Sequence, residues 1–392
     1  MSLVLLTSQT HPLLHTPGWK TGKSYIGGTL TGFDAATLDA FSDAVVNDLV
    51  YLEAQGIHPV QWGLQNEPPY TTPYSCCVYN PQQYYSAFSA CAPKIKHAFP
   101  NITVHVCSNT GQTVSGALIA GDAKVSALVD GWTWHCVGCP STTQLGGNIG
   151  KFMNGSQGKR VWNNEFEYLD NRVNDNRTLN TAQSVMNWLV FGDSPTWYWL
   201  HALKPTVNVE APGYGLGYWR PLNYTNFTRF PDLPPGNWQY NDDNANAVLG
   251  FAKYMPWDAV RVHTEEDVLR PNARVLAYLY NPSAALWLHP HDRSHHARIF
   301  DPPGPLRDAS ARAAATHLAF VLTNSDCCAN FTTSVILTGV QPSPQLSFSG
   351  HAYSPTLKDG GLGVVTPFLN SFGHLQLNLT VPPLTIQFWV QN

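Results

Sequence analysis

Glu67 stands in a setting that suits a reacting carboxylate. It closes the run Gln61-Trp62-Gly63-Leu64-Gln65-Asn66-Glu67 and is followed at once by Pro68-Pro69. The apolar run predicts a strand, and a proline, which cannot donate to a ladder, stops it. Glu67 is therefore expected at a strand's C-terminal end, where α/β folds gather their chemistry. Two convergent carboxylates can divide acid, base and nucleophilic roles between them. The best second acid lies in Val161-Trp162-Asn163-Asn164-Glu165-Phe166-Glu167. If that strand continues through both acids, Glu165 and Glu167 point to the same side, so period-two spacing leaves both open.

The elements that must position these acids alternate along the first half of the chain. Leu3 to Thr7 reads as a buried strand, and the loop after it contains Trp19. Asp34 can cap a helix with Leu38, Phe41, Val45, Leu49 and Leu52 at helical spacing, and Gly56 stands where its C-terminal stop is expected. Beyond the loop Tyr70 to Tyr79, Asn80-Pro81 opens a second helix. Strands are then predicted at Ile102 to Cys107, Gly131 to Val137, Arg160 to Glu165 and Thr196 to Leu200, with helices at Val114 to Leu128 and near Thr181 to Phe191. This alternation argues for parallel βαβ units, with at most six strands before residue 205. The Pro-, Gly-, Asn- and aromatic-rich span from Val207 to Asp243 reads as a long loop or a crossing. After a helix from Asn244 to Tyr254, short alternating runs between Ala259 and Val390 read as a small antiparallel β-domain. The expected division is 1–258 and 259–392.

Composition narrows the function classes. A chain of 392 residues with 43% hydrophobic content can bury a substantial core. A net charge of −4 with 12% charged residues gives no basic field for nucleic acid, and no apolar run is long enough to span a membrane. The 13 Trp and 17 Tyr are either ordinary core or platforms on which sugar rings stack. Sequons at Asn101, Asn154, Asn176, Asn223, Asn226, Asn330 and Asn378, with eight cysteines, lean towards an oxidising, extracellular setting. The N-terminal residues lack a basic flank and are too short for a signal peptide, so either the protein is cytosolic or the true N-terminus is missing.

Asn66-Glu67-Pro68 resembles the signature of the retaining (β/α)8-barrel glycoside hydrolases. Together with Trp162 to Glu165 as Trp-x-x-Glu, and the order barrel then β-domain, it resembles glycoside hydrolase family 30. That family includes glucosylceramidases, β-1,6-glucanases, β-1,6-galactanases and xylanases. The resemblance implies a (β/α)8 barrel with a C-terminal β-domain, a carbohydrate substrate and no cofactor or metal. It makes Glu67 the acid/base and Glu165 the nucleophile, with Glu167 in the loop beyond the strand. It gives Asn66 the sugar's 2-hydroxyl. Asp130-Gly131-Trp132-Thr133-Trp134-His135 is similar to the family's sixth strand, which points His135 at the sugar. Trp197 to Leu203 resembles its eighth strand, with Trp199 as the floor of the site, and Pro17 to Thr21 resembles the loop after its third, which adds Trp19. Tyr70, just past the double proline, is a further sugar-contact candidate. On this alignment the first two βα units have no counterpart here, so a truncated barrel is expected.

Plainer readings stand beside these. Trp62, Trp134 and Trp162 are best taken as packing. His135 suits a hydrogen-bonded core position equally well. His135-Cys136 with Cys139 has no second Cys/His pair at a metal-binding spacing, so a disulfide or buried thiol is expected. His289, His291, His295 and His296 could chelate a metal but sit among loop-forming residues. The competing function is an inactive carbohydrate-binding relative or fragment.

Overall fold

Six parallel strands stand in chain order in one sheet: β1 (Leu5–Thr7), β2 (Gln61–Gly63), β3 (Thr103–Asn109), β4 (Gly131–His135), β5 (Arg160–Phe166) and β6 (Trp197–Trp199). Strands that neighbour in space as they do in sequence form the wall of a barrel-type βα fold. The computed structural model describes residues 5–7, 21, 27–70, 77–109, 114–138, 158–168, 176–192, 194, 196–207, 214–223, 232–256, 259–268, 270–281 and 317–392. By its contacts the chain divides into two compact units. The first holds β1 to β6 and the helices α1 (Ala35–Ala54), α2 (Pro81–Ala98), α3 (Val114–Gly121) and α4 (Ala123–Ser126). The second holds α5 (Asn176–Val190), α6 (Asp242–Tyr254) and all remaining strands.

Local chemistry fixes the helix ends of the first unit. Asp34 caps α1, accepting from Thr37 N at 3.0 Å and from the Thr37 hydroxyl at 2.7 Å. Asn80 and Gln83 form a reciprocal capping box at the start of α2, with Pro81 at its first position. Asp122 accepts from Lys124 N and Val125 N, so the helix expected from Val114 to Leu128 is cut in two. A short side chain that captures the backbone donors opens a new helix where the old one would have continued. Helices α1 and α2 pack together, and Lys94 links them by pairing with Asp39 and Asp43. Trp62, Trp134 and Trp162 are all buried.

The second unit is built on antiparallel sheets. Its largest sheet runs β10 (Val260–Val262), β11 (Ala273–Tyr280), β12 (His317–Asn324), β18 (Thr385–Gln391), β14 (Phe348–Tyr353) and β15 (Gly360–Val365). A smaller one runs β13 (Phe331–Leu337), β17 (Leu375–Val381) and β16 (Phe368–Leu369). Leu318, Phe320, Phe348, Leu377 and Val381 interleave in one apolar core, as two-sheet packing requires. Helix α5 reaches this sheet through Gln183, which donates to Asn272 O at 3.0 Å. Helix α6 reaches it through Phe251, packed on Phe388 at 5.2 Å.

A third sheet corrects one expectation. The span from Val207 to Asp243, read as a loop or a crossing, contains β8 (Gly215–Trp219) and β9 (Trp238–Tyr240), which pair with β7 (His201–Pro205) just before it as a three-stranded ribbon. Its ladder joins segments many residues apart, which local composition cannot show.

Candidate active site

Glu67 does not end its strand. β2 stops at Gly63, and Leu64, Gln65 and Asn66 continue as buried irregular chain before Glu67, which adopts a left-handed backbone at φ 45°. That region is uncommon for a residue with a side chain and costs about 1 kcal/mol or more. Tyr70 N donates to Glu67 O at 2.9 Å and Tyr79 N to Pro68 O at 2.8 Å, so the turn is held from both sides.

Glu165 is aimed by an irregularity between β4 and β5. The register runs regularly to Trp134 opposite Asn163, then skips Asn164, so that His135 faces Glu165. Such a bulge redirects a side chain. Asn163 is fully buried, and its Oδ1 accepts from Cys136 N and Glu165 N, each at 3.3 Å. Cys136 N donates in addition to Glu165 O at 3.0 Å, and Cys136 is disulfide-bonded.

The turn at Glu67 and the bulge at Asn164 bring three side chains together. His135 Nδ1 lies 3.1 Å from Glu67 Oε1 and 3.4 Å from Glu165 Oε2. One ligand-type atom from each of the three lies within 4.8 Å of the others. The His135 side chain is fully enclosed, whereas the Glu67 and Glu165 side chains keep 18% and 13% of their exposure. When both carboxylates are ionised, Nδ1 can only donate, and a single N–H then bridges two acids. The same three groups could also hold one divalent cation.

A second histidine stands on the neighbouring strand. His105 on β3 is buried, and its Nδ1 lies 3.1 Å from Thr133 Oγ1. That hydroxyl gives its only proton to Val106 O at 2.9 Å, so it must accept from His105, which fixes the Nδ1–H tautomer. Burial, and secondarily the neighbouring His135, lowers the His105 pKa to about 3. Gly63 makes room for this ring: a Cβ there would lie 2.4 Å from His105 Cε1.

The other sequence candidates are placed as follows. Asn66 is buried, next to Glu67. Trp199 is half-buried on β6, one strand from β5, with its ring 5.7 Å from Phe166 and 6.4 Å from Trp197. Tyr70 is 48% exposed. Trp19 and the histidines from 289 to 296 lie outside the described residues. Glu167 follows the end of β5, and its buried carboxylate is taken by His201 Nδ1 at 2.5 Å. Sequence reasoning missed Asn163, His105 and Thr133. The one available signal was Asn163 itself, a strand-averse residue inside an apolar strand.

No protein-family model and no curated protein matches this sequence. Solved structures do match it in fold. A glycoside hydrolase family 30 subfamily 8 xylanase from Clostridium acetobutylicum is 15% identical, with a TM-score of 0.62 over 95% of this chain and 76% of that one. A conserved exported protein from Bacteroides fragilis is 12% identical, with a TM-score of 0.64 over 98% and 75%. An endo-β-1,6-glucanase is 13% identical, with a TM-score of 0.61 over 96% and 70%. The chain therefore has a glycoside hydrolase family 30-like fold, a TIM-type parallel sheet followed by antiparallel β-sheets.

Proposed function

We propose that this protein is a retaining β-glycoside hydrolase, with residues 1–258 as the catalytic part and 259–392 as a β-domain. One observation carries the reading: the Glu67 and Glu165 carboxylates approach within 4.8 Å, both against His135 Nδ1, at the C-terminal side of a parallel sheet. Retaining enzymes hold their two carboxyl groups about 5 to 5.5 Å apart, whereas inverting enzymes need about 6.5 to 9.5 Å to seat a water between acid and base. The family 30-like fold supports a glycoside hydrolase in general.

Glu165 attacks the anomeric carbon while Glu67 gives its proton to the departing glycosidic oxygen. The bond to the leaving group breaks as the glycosyl–Glu165 ester forms. Glu67, now a carboxylate, takes a proton from water, and the hydroxide oxygen displaces Glu165 to release the sugar with its configuration retained. His135 donates its Nδ1–H between the acids and holds them in register, and Asn66 offers its amide to the 2-hydroxyl. The substrate class is a β-linked polysaccharide, such as a galactan, glucan or xylan, or a glycolipid. An extracellular location accords with the sequons: the described ones, Asn101, Asn176, Asn223, Asn330 and Asn378, all expose their asparagine.

The test is turnover of a panel of β-glucan, β-galactan and xylan oligosaccharides, with the first-released anomer read by proton NMR. Release of the β-anomer, abolished by Glu165→Gln, is the expected result. Glu67→Ala should lose poor leaving groups first and recover with azide. Release of the α-anomer would refute the retaining assignment. Binding without turnover would identify an inactive carbohydrate-binding relative.

A further inference from the structure

The ribbon of β7, β8 and β9 has two unlike faces. Tyr218 on β8 is buried and packs with Leu233 in a small core. Alternation along the strands then turns Leu203, Trp219, Trp238 and Tyr240 to the other side. Trp219 and Trp238 are direct cross-strand partners, and Gly217 faces Tyr240. Parallel pairing sets Leu203 beside Gly217. These four apolar side chains remain 46%, 40%, 53% and 41% exposed, in the order named. Trp238 and Tyr240 meet edge to face with ring centroids 5.0 Å apart.

Exposed apolar side chains clustered on one sheet face, unlike ones scattered singly, mark a binding surface. Three of its four side chains are aromatic rings, which favours a ligand with flat C–H faces over an aliphatic helix or an acyl chain. Besides these, alternation puts His201 of β7 on the same face, where its ring is paired with the Glu167 carboxylate; the described strands thus offer no run of like charge, which suits an uncharged ligand better than a nucleic acid or an acidic peptide. Hydrogen-bonding groups accompany it: Asn237 is exposed beside Trp238, and Lys358 lays its ammonium over one face of Tyr240, 3.5 Å from the ring centroid, so that face of the ring is taken. Apolar ring faces edged by amide and ammonium donors match a neutral glycan, whose hydroxyls lie at the rim of each sugar ring.

We infer that this ribbon face is a glycan-binding platform on which Trp219 and Trp238 stack sugar rings of an uncharged polysaccharide, with Tyr240 and Lys358 at its edge. The inference rests on the proposed glycoside hydrolase reading for its ligand class. It is tested by sedimentation of the full chain carrying Glu165→Gln, which blocks turnover, with insoluble xylan and insoluble β-1,6-glucan. The parent variant is expected to co-sediment with at least one of them. Adding Trp219→Ala and Trp238→Ala should cut the bound fraction at least tenfold, and Trp219→Phe with Trp238→Phe should keep most of it. Thermal unfolding within a few degrees of the parent certifies that the alanine variant is folded. Equal binding by parent and alanine variant, or binding by neither, overturns the platform. So does a parent dimer, seen by sedimentation velocity, that the alanine pair dissociates, since the face would then be a self-association surface. Hydrolysis is not read here, so a wild-type chain that binds but never turns over sinks the proposed activity while this inference stands.

Discussion

His105 shows how a residue remote from the reacting atoms can govern behaviour with pH. Its pKa falls from 6.5 to about 3 on folding, because burial disfavours the charged ring. Above pH 6.5 the ring is neutral in both states and contributes no pH dependence. As pH falls below 6.5 the unfolded chain takes up a proton that the folded one refuses until about pH 3. Stability is lost across that window at about 1.4 kcal/mol per pH unit from this group. Urea unfolding at pH 7 and pH 5 should show the loss, and His105→Asn should reduce the slope by one proton's worth; an unchanged slope would refute the assignment. Asn163 makes a comparable case in catalysis. Its carbonyl anchors the backbone of both Glu165 and Cys136. Asn163→Ala should lower kcat at least tenfold while KM changes much less, because the nucleophile loses its aim and the sugar contacts stay.

Element boundaries follow two different physics. Asp34 and Gly56 bracket α1 by local hydrogen bonding, with Gly56 at φ 77° just past the helix. Asp34→Ala should therefore cost about 1 kcal/mol, measurable as a shift in the urea midpoint without loss of the site. The parallel strands answer to packing. A Cβ at Gly131, the first residue of β4, would lie 2.0 Å from Trp162 Cζ3. Gly131→Ala must displace a buried indole ring and should cost about 1 to 3 kcal/mol, with activity falling alongside because Trp162 shares a strand with Glu165. Wild-type stability in that variant would mean that the ring is free to move. The cut at Asp122 between α3 and α4 and the ribbon of β7 to β9 escape a reading of periodicity. The first depends on one side chain competing with the helix for its own donors. The second depends on partners brought together from distant segments.

At the scale of the whole molecule, a family 30-like fold joins a parallel sheet to antiparallel sheets, and two expectations follow. Double displacement requires no metal, although Glu67, His135 and Glu165 could hold one. Activity should survive dialysis against EDTA, and a loss restored by a divalent cation would recast the trio as a metal site. Expression through a secretory route should yield a glycoprotein whose electrophoretic mobility rises on treatment with an N-glycosidase. The exposed asparagines of the described sequons supply the acceptors, and an unchanged mobility would argue against that route.

The sequence by itself determined the succession of parallel strands, the capped helices α1 and α2, and Glu67 with either Glu165 or Glu167 as the acids to consider. These signals are local: a proline after a strand, a cap before an apolar stripe, an acid at the end of a hydrophobic run. It left Glu165 and Glu167 equivalent by spacing, because alternation alone cannot say where a strand stops. Only the tertiary structure decided between their surroundings, with the bulge at Asn164 turning Glu165 towards His135 and His201 taking up Glu167. It also supplied the left-handed turn at Glu67, the buried His105 bonded to Thr133 on the neighbouring strand and the exposed aromatic face of the ribbon. Each of these depends on groups far apart in the chain meeting at hydrogen-bond or van der Waals distance, and no pattern along a single segment encodes such a meeting.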